Sequence, residues 1–446
     1  MRRVPLAVSI LGVLTAGLGI ALLLLLILFY QATPKGILAQ QTFIGHMQGV
    51  LGVVRIADRS MNFLYRGPTP PEKLPHYDLT LDRAELDLIE ESLPKDDVFL
   101  SEDAKVWAKG TFQSDGESVP VKARVRGDRY NHWRFRKKSW RLSFEGDQLF
   151  HGIKETNLII PEDRVWFVEM LSAYRADKFG LFHPPMRFVT VSINGSAPML
   201  YLEVEHWNKE MLEKQARPGD VNLYKTGDIG TSSFNPGWDP IDADIAYWDK
   251  YNQAVAPPLN SFEEVELLFA LSKEGAHTDS HFKKQIDVLF DHEKLVRWYA
   301  LSLLAGNLHV GGDNLRFYWD ISRGRFEPIV WDISSTAPGP YFELPGNGLW
   351  NEVFSIPEWK EETDRFLSDY ITKYGDNDLR EAERLRSLIE RAAYRDTMKL
   401  QSNRQVRNDL DRLMGQAKEN IAFLKEELSN LPLGQAPALA IPPSVQ

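Results

Sequence analysis

The chain has 446 residues, a net charge of −10 and no cysteine. The missing thiols exclude disulfides, thiolate metal centres and a cysteine nucleophile, and the acidic balance argues against a general nucleic-acid binder. Twelve Trp and 23 Phe point to a well-packed interior, with length for one large domain or two ordinary ones.

Residues 1–4 are a short flank, and residues 5–30 form the first element. No charge occurs from Val4 to Pro34, and Leu11 to Tyr30 is almost continuously apolar. A helix rising about 1.5 Å per residue crosses a ~30 Å hydrocarbon core in about 20 residues, so the sequence predicts a single-pass transmembrane anchor. A cleaved secretory signal, cut near Ala39, is the alternative, but such signals have apolar cores of only about 7–15 residues. Arg2 and Arg3 precede the span, and only Lys35 follows it before Arg55. The positive-inside tendency then keeps the N-terminus cytoplasmic and places the domain outside the cytoplasm.

Residues 31–75 read as a stem that ends in the proline-rich Arg66-Gly-Pro-Thr-Pro-Pro. A strand follows at Tyr77–Leu81, then a short helix capped by Thr80 or Asp82. Residues 105–145 alternate as β-structure. In Val119–Gly127 the alternation sets Val121, Ala123 and Val125 on one face and Lys122, Arg124 and Arg126 on the other. A helix is predicted over Arg164–Lys178. A hairpin is predicted around Asn194-Gly195, flanked by alternating apolar runs. Residues 226–260 are a Gly/Pro/Asp-rich loop, residues 261–306 are mainly helical and stop at Gly306, and Leu315–Trp331 makes a second hairpin. Residues 376–430 are charged and helical, and residues 431–446 are a disordered tail. This order predicts an α+β domain over 76–430 with two lobes, an N-lobe over 76–207 and a C-lobe over 208–430.

Two constellations carry chemistry. From Lys122 to Arg141, nine of twenty residues are basic. Arg supplies planar bidentate donors for phosphate and Lys a point charge, so this face suits a polyanion or nucleotide phosphates, or is simply a solvated basic strand. The second runs from Gly306 through His309, Asp313 and Asn314 to Asp332. An Asp and an Asn on one loop, with a second Asp one hairpin later, is the oxygen donor set that Mg²⁺ bound to phosphates prefers and the layout of a phosphoryl-transfer site, or else Asp313-Asn314 simply caps a turn and Asp332 ends a strand.

Four segments resemble the spore coat protein H (CotH) family of atypical, protein-kinase-like proteins. They are Arg124-Val-Arg-Gly with Lys137-Lys-Ser-Trp-Arg-Leu; Arg187–Gly195 with Tyr201-Leu-Glu-Val-Glu; Asn222-Leu-Tyr-Lys225; and Asp313-Asn-Leu-Arg-Phe-Tyr with Phe326–Asp332. The resemblance implies a two-lobed atypical kinase-like fold that transfers phosphate from ATP to protein Ser/Thr with Mg²⁺ or Mn²⁺. By that resemblance Lys138 or Lys137 binds phosphate, and Arg124 and Arg126 line the phosphate site. Glu205 and Lys225 lie near the nucleotide, and Asn314 and Asp332 hold the metal. Glu169, on the helix after the basic strands, is placed to pair with the lysine. The chain departs from the family where an Asp commonly precedes a His-Asn pair. Here His309 stands in that place and the pair is Asp313-Asn314, so the catalytic base is His309 or Asp313. The alternative function is a catalytically inactive kinase-fold scaffold in cell-envelope or surface-structure assembly. A third reading is a polyanion- or glycan-binding envelope protein. The protein substrate or envelope partner is not legible.

Overall fold

Period-two alternation builds the first half of the fold. The computed structural model describes residues 59–94, 100–146, 149–226, 248–252, 261–273, 280–307, 314–333 and 348–432, with isolated positions at 15, 17–20, 22, 245, 310, 439 and 441. Seven strands, β1 (His76–Leu81), β2 (Ala108–Ser114), β3 (Glu117–Val125), β4 (Trp140–Phe144), β5 (Glu155–Ile159), β6 (Met186–Ile193) and β7 (Met199–Glu205), close into a barrel in the order β1-β2-β3-β4-β5-β7-β6. Parallel pairing of β1 with β6, His76 opposite Thr190, makes the closure. The inward residues of β3 stack on those of β4, Ala123 on Leu142 and Val125 on Trp140. Tyr77, Phe112, Phe144 and Phe150 fill the lumen with ring centroids 4.7 to 6.3 Å apart, an arrangement that buries large apolar area with favourable edge contacts. Asn194 and Gly195 both take positive φ, 48° and 74°, as the tight turn between β6 and β7 requires.

Helix α1 (Arg83–Ser92) is capped by Asp82, whose Oδ1 accepts from Glu85 N at 3.0 Å. Helix α2 (Val168–Phe179) is shorter than the 164–178 span predicted for it. Val165 and Trp166 sit at φ 49° and 61°, and an α-helix cannot run through consecutive left-handed residues. Arg164 therefore lies in a turn rather than on the helix. After α3 (Lys209–Lys214), a second sheet forms from β8 (Leu223–Thr226), β9 (Trp248–Asn252), β10 (Arg316–Asp320) and β11 (Arg325–Pro328), in the order β11-β10-β8-β9. Most of the predicted 226–260 loop lies outside the described residues, and β9 occupies part of it.

The rest is helical: α4 (Glu263–Lys273), α5 (Ser280–Leu289), α6 (His292–Ala305), α7 (Gly348–Ser355), α8 (Pro357–Arg395) and α9 (Asn403–Ser429). At about 1.5 Å per residue the 39 residues of α8 are long enough to touch β7, α2, α6, α7 and α9. Ser402 and Gln405 form a reciprocal capping box that opens α9, satisfying helix donors that would otherwise be orphaned. The result is an α+β architecture with one core inside the barrel, a second between barrel and α8–α9, and a third among the C-terminal helices and the small sheet. Leu439 and Ile441, in the tail expected to be disordered, pack against that third core. Among the described residues no helix is long and apolar enough to cross a membrane. The span expected over 5–30 falls largely outside the described residues.

Candidate functional site

Helix α6 ends at Gly306, φ 64°, and Asn307 folds back with its N–H on Ser302 O at 2.8 Å. His309 and Asp313 lie outside the described residues. The chain re-emerges at Asn314, φ 62°, runs through the β10–β11 hairpin, and reaches Asp332, φ 54°. Asn and Asp tolerate this left-handed region because their short side chains bond locally. The hairpin brings the two together: Asn314 Nδ2 donates to Asp332 Oδ2. Asn314 Oδ1 accepts from Arg316 Nη2 at 2.8 Å, and the buried Arg316 is itself held by Leu315 O at 2.8 Å.

Two residues at the start of α2, Arg164 in the turn before it and Glu169 in its first turn, complete the cluster. The Arg164 Nη1 group pairs with Asp332 Oδ1, and its guanidinium lies 4.9 Å from the Trp331 ring centroid. Glu169, in the first turn of α2, accepts the Asp332 backbone N–H on Oε1 at 2.8 Å. Burial pushes the Glu169 carboxyl up, against the pull of Arg164. Its Oε2 is buried without a hydrogen-bond partner.

Beside this cluster stands a basic wall. Alternation turns Lys122, Arg124 and Arg141 outward from the barrel, and the register sets Arg124 opposite Arg141. Arg124 pairs with Glu102 at 2.8 Å, Lys122 with Glu145 at 3.2 Å, and Arg126 lies 6.0 Å from the Trp331 ring centroid. The buried His206, immediately after β7, registers their convergence. Burial holds its imidazole well below the ordinary range, and Arg141, Arg126, Arg124 and Lys225 push it further down. Lys225 reaches the wall from β8, opposite Arg316 in the register, and pairs with Asp249 at 3.2 Å.

The glycine of Arg124-Val-Arg-Gly has a steric cause. Gly127 sits at φ 91°, and a Cβ there would meet His132 Cδ2 at 2.2 Å. Position 127 therefore admits only glycine without displacing the buried imidazole.

A sequence profile of the family described as CotH kinase protein matches residues 123–429. This chain belongs to the CotH kinase protein family. Inner spore coat protein H of Bacillus subtilis (strain 168) is 23% identical over 250 residues, which cover 52% of this chain and 66% of that protein, just under two thirds of its length. A chain of the Shewanella oneidensis MR-1 HipA, HipB and operator DNA complex aligns over 82% of this chain and 76% of its own, at 14% identity and a TM-score of 0.31, too slight a likeness to define the fold.

Of the residues that the CotH resemblance singles out, the fold gathers Asn314 and Asp332 in one cluster and Arg124, Arg126 and Lys225 along the adjoining wall. It sends three elsewhere. Lys137 is buried, and its Nζ donates to Asp396 Oδ2 at 2.6 Å. Lys138 Nζ donates to Trp133 O at 2.9 Å and Phe135 O at 3.0 Å, with Glu90 also 3.0 Å away. A buried ammonium needs such partners, and in this structure both lysines find them within the protein. Glu205 shares the lumen side of β7 with Glu203, opposite Val204, and pairs with Lys214 at 2.9 Å beside a cavity of about 180 Å³. Its carboxyl is raised by burial, with Lys214 opposing. Glu169 meets the Asp332 backbone, where the sequence suggested a lysine. Arg141 belongs to the Lys137-Lys-Ser-Trp-Arg-Leu segment without having been assigned a role there, and Arg164 and His206 fall in no motif of the sequence.

A divalent cation held with phosphates takes hard oxygen ligands, few of them from protein. The Asp332 carboxylate, the Asn314 carboxamide and the partnerless Glu169 Oε2 supply that donor chemistry and fit the group. Among the described residues no three His, Asp or Glu side chains form a cluster that would hold a metal by themselves.

Proposed function

We propose that this protein is a membrane-anchored CotH-family phosphotransferase that moves phosphate from ATP to protein Ser/Thr with Mg²⁺ or Mn²⁺. The observation that carries the reading is the oxygen cluster of Asn314, Asp332 and Glu169 set against the wall of Arg124, Arg126, Arg141 and Lys225. In this reading Asp332 and Asn314, with Glu169 behind them, would hold the metal, which would supply positive charge to neutralise the phosphates. Arg124, Arg126, Arg141 and Lys225 bind and orient the phosphate chain by multiple charged hydrogen bonds. The acceptor hydroxyl gives its proton to His309 or Asp313, its oxygen bonds to the terminal phosphorus, and the bond to the ADP oxygen breaks. Residues 5–30 anchor the chain, and the charge flanking them places the domain outside the cytoplasm.

Incubation of the purified protein with labelled ATP, Mg²⁺ or Mn²⁺ and a casein-like acceptor tests this. Wild type should incorporate label and Asp332→Ala should not; equal incorporation refutes the role of Asp332. The second reading, a non-catalytic scaffold in envelope or surface assembly, is favoured by one observation: Asp332 already pairs with a guanidinium. It predicts no nucleotide-dependent stabilisation at any concentration.

A further inference from the structure

Both carboxylate oxygens of Asp332 face nitrogen donors, Arg164 Nη1 on Oδ1 and Asn314 Nδ2 on Oδ2. In this arrangement the guanidinium is the cation of the site. We propose that Arg164 is a built-in competitor at Asp332, which a divalent metal must displace to bind, so that this arginine sets the metal affinity of the site. The inference rests on the metal-nucleotide reading of Asp332.

Three features hold Arg164 in place. It is 4% exposed, it lies 4.9 Å from the Trp331 ring centroid, and its Nε is 3.4 Å from Asp163 Oδ2. The backbone that follows is strained. Val165 and Trp166 stand at φ 49° and 61°, and a β-branched residue in the left-handed region is a steric outlier. Such strain persists only where the surroundings over-determine it, and it gathers at functional sites. Here the surroundings are specific: Trp166 N–H reaches Pro161 O at 2.8 Å and Val168 N–H reaches Val165 O at 3.2 Å. Among the described residues eight non-glycine positions have positive φ, and Val165, Trp166, Asn314 and Asp332 are four of them. Left-handed backbone thus occurs on both sides of the Arg164–Asp332 contact, in the turn before α2 and at both ends of the hairpin.

The chemistry of exchange follows from the donors. For a metal to take Asp332 Oδ1, Arg164 must leave it. For Asn314 to offer oxygen, its carboxamide must turn over and release Arg316. Glu169 Oε2, already without a partner, needs no such change. A freed Arg164 would keep its charge beside a site for phosphates, and a guanidinium is a strong phosphate donor. The same residue then opposes metal in the resting site and favours the anionic ligand once displaced. This makes Arg164 a positioning residue.

The test is Mn²⁺ binding to the full-length chain without nucleotide, followed by titration calorimetry and by the free-Mn²⁺ spin signal. Wild type should bind weakly. Arg164→Gln, which removes the charge but keeps a polar side chain, should bind about tenfold tighter or more, since a unit charge a few ångströms away opposes the metal. Arg164→Lys retains the charge on a side chain that cannot pair in the same planar way, and should fall between them. Asp332→Asn should bind least. Mn²⁺ affinity in Arg164→Gln equal to or below that of wild type overturns the inference. If that variant does not fold, Arg164→Lys carries the test, and affinity no higher than wild type overturns it. Binding that is insensitive to Asp332→Asn places the ion elsewhere and overturns the metal reading itself. Binding by none of the forms overturns the inference, and the labelled-ATP assay then decides the function separately.

Discussion

Lys137→Met separates an architectural lysine from a phosphate-binding one. Lys137 and Asp396 are 4% and 1% exposed at the side chain and 2.6 Å apart. Asp396 also accepts from Leu200 N at 3.1 Å, Met398 N at 2.9 Å and Lys399 N at 3.2 Å. It thereby ties β7 and the Lys137 loop to the turn between α8 and α9. Removing one partner of a buried ion pair costs about 3–5 kcal/mol because the other charge is left uncompensated. Three backbone donors remain on Asp396, and Met fills much of the lysine volume, so the low end, about 3 kcal/mol, applies. At about 2.1 cal/mol/K per residue, the ordered domain has an unfolding entropy near 0.8 kcal/mol/K, so Tm should fall by about 4 °C. Differential scanning calorimetry measures the change, with and without ATP and Mn²⁺. The expected result is a lowered Tm with the nucleotide-induced rise intact. A Tm within 1 °C of wild type together with loss of the nucleotide-induced rise would refute the reasoning and restore Lys137 as a phosphate ligand.

Gly127→Ala should lower stability by about 2 kcal/mol or more, from left-handed strain plus contact with His132; an unchanged melting curve would show that the loop relaxes freely. His132 is held neutral in the fold, its imidazole lowered to about 3 by burial and by Arg126, Arg164 and Lys105 against the pull of Asp163. Its folded value lies below the unfolded one, so the unfolded chain takes up the proton first, and stability falls as pH drops below about 6.5. At pH 5 the loss from this group is about 2 kcal/mol relative to pH 8, and His132→Gln should remove that part of the pH dependence. Arg124→Ala should weaken ATP binding with a smaller salt dependence; its side chain is 11% exposed beside a 66% exposed Glu102, so the variant should fold with a stability loss of about 1 kcal/mol.

The strands were legible because a half-buried strand writes its pattern every second residue, and Val121, Ala123 and Val125 are inward as that pattern requires. Barrel closure was not: His76 and Thr190 meet across 114 residues without a local signal. The proximity of Asn314 and Asp332 was legible from the single hairpin between them, and the fold brings their side chains into contact. The burial of Lys137 was not legible, because its partner Asp396 lies 259 residues away. The ion pair of Glu205 was not legible either, because its partner Lys214 comes from the helix after β7. Arg164 lies in an irregular turn with no periodicity to read, and its meeting with Asp332 joins positions 168 residues apart.

The central claim is that Asn314 and Asp332, beside the basic wall, form a metal-nucleotide site. Thermal unfolding of the full-length chain across a saturating series of ATP with Mn²⁺ tests it most directly. At 100 times the dissociation constant a ligand specific for the folded state stabilises by about 2.7 kcal/mol, a rise of about 3 °C for a domain of this size. The account predicts that rise in wild type and its loss in Asp332→Ala. No rise at saturation, or an equal rise in Asp332→Ala, would contradict it.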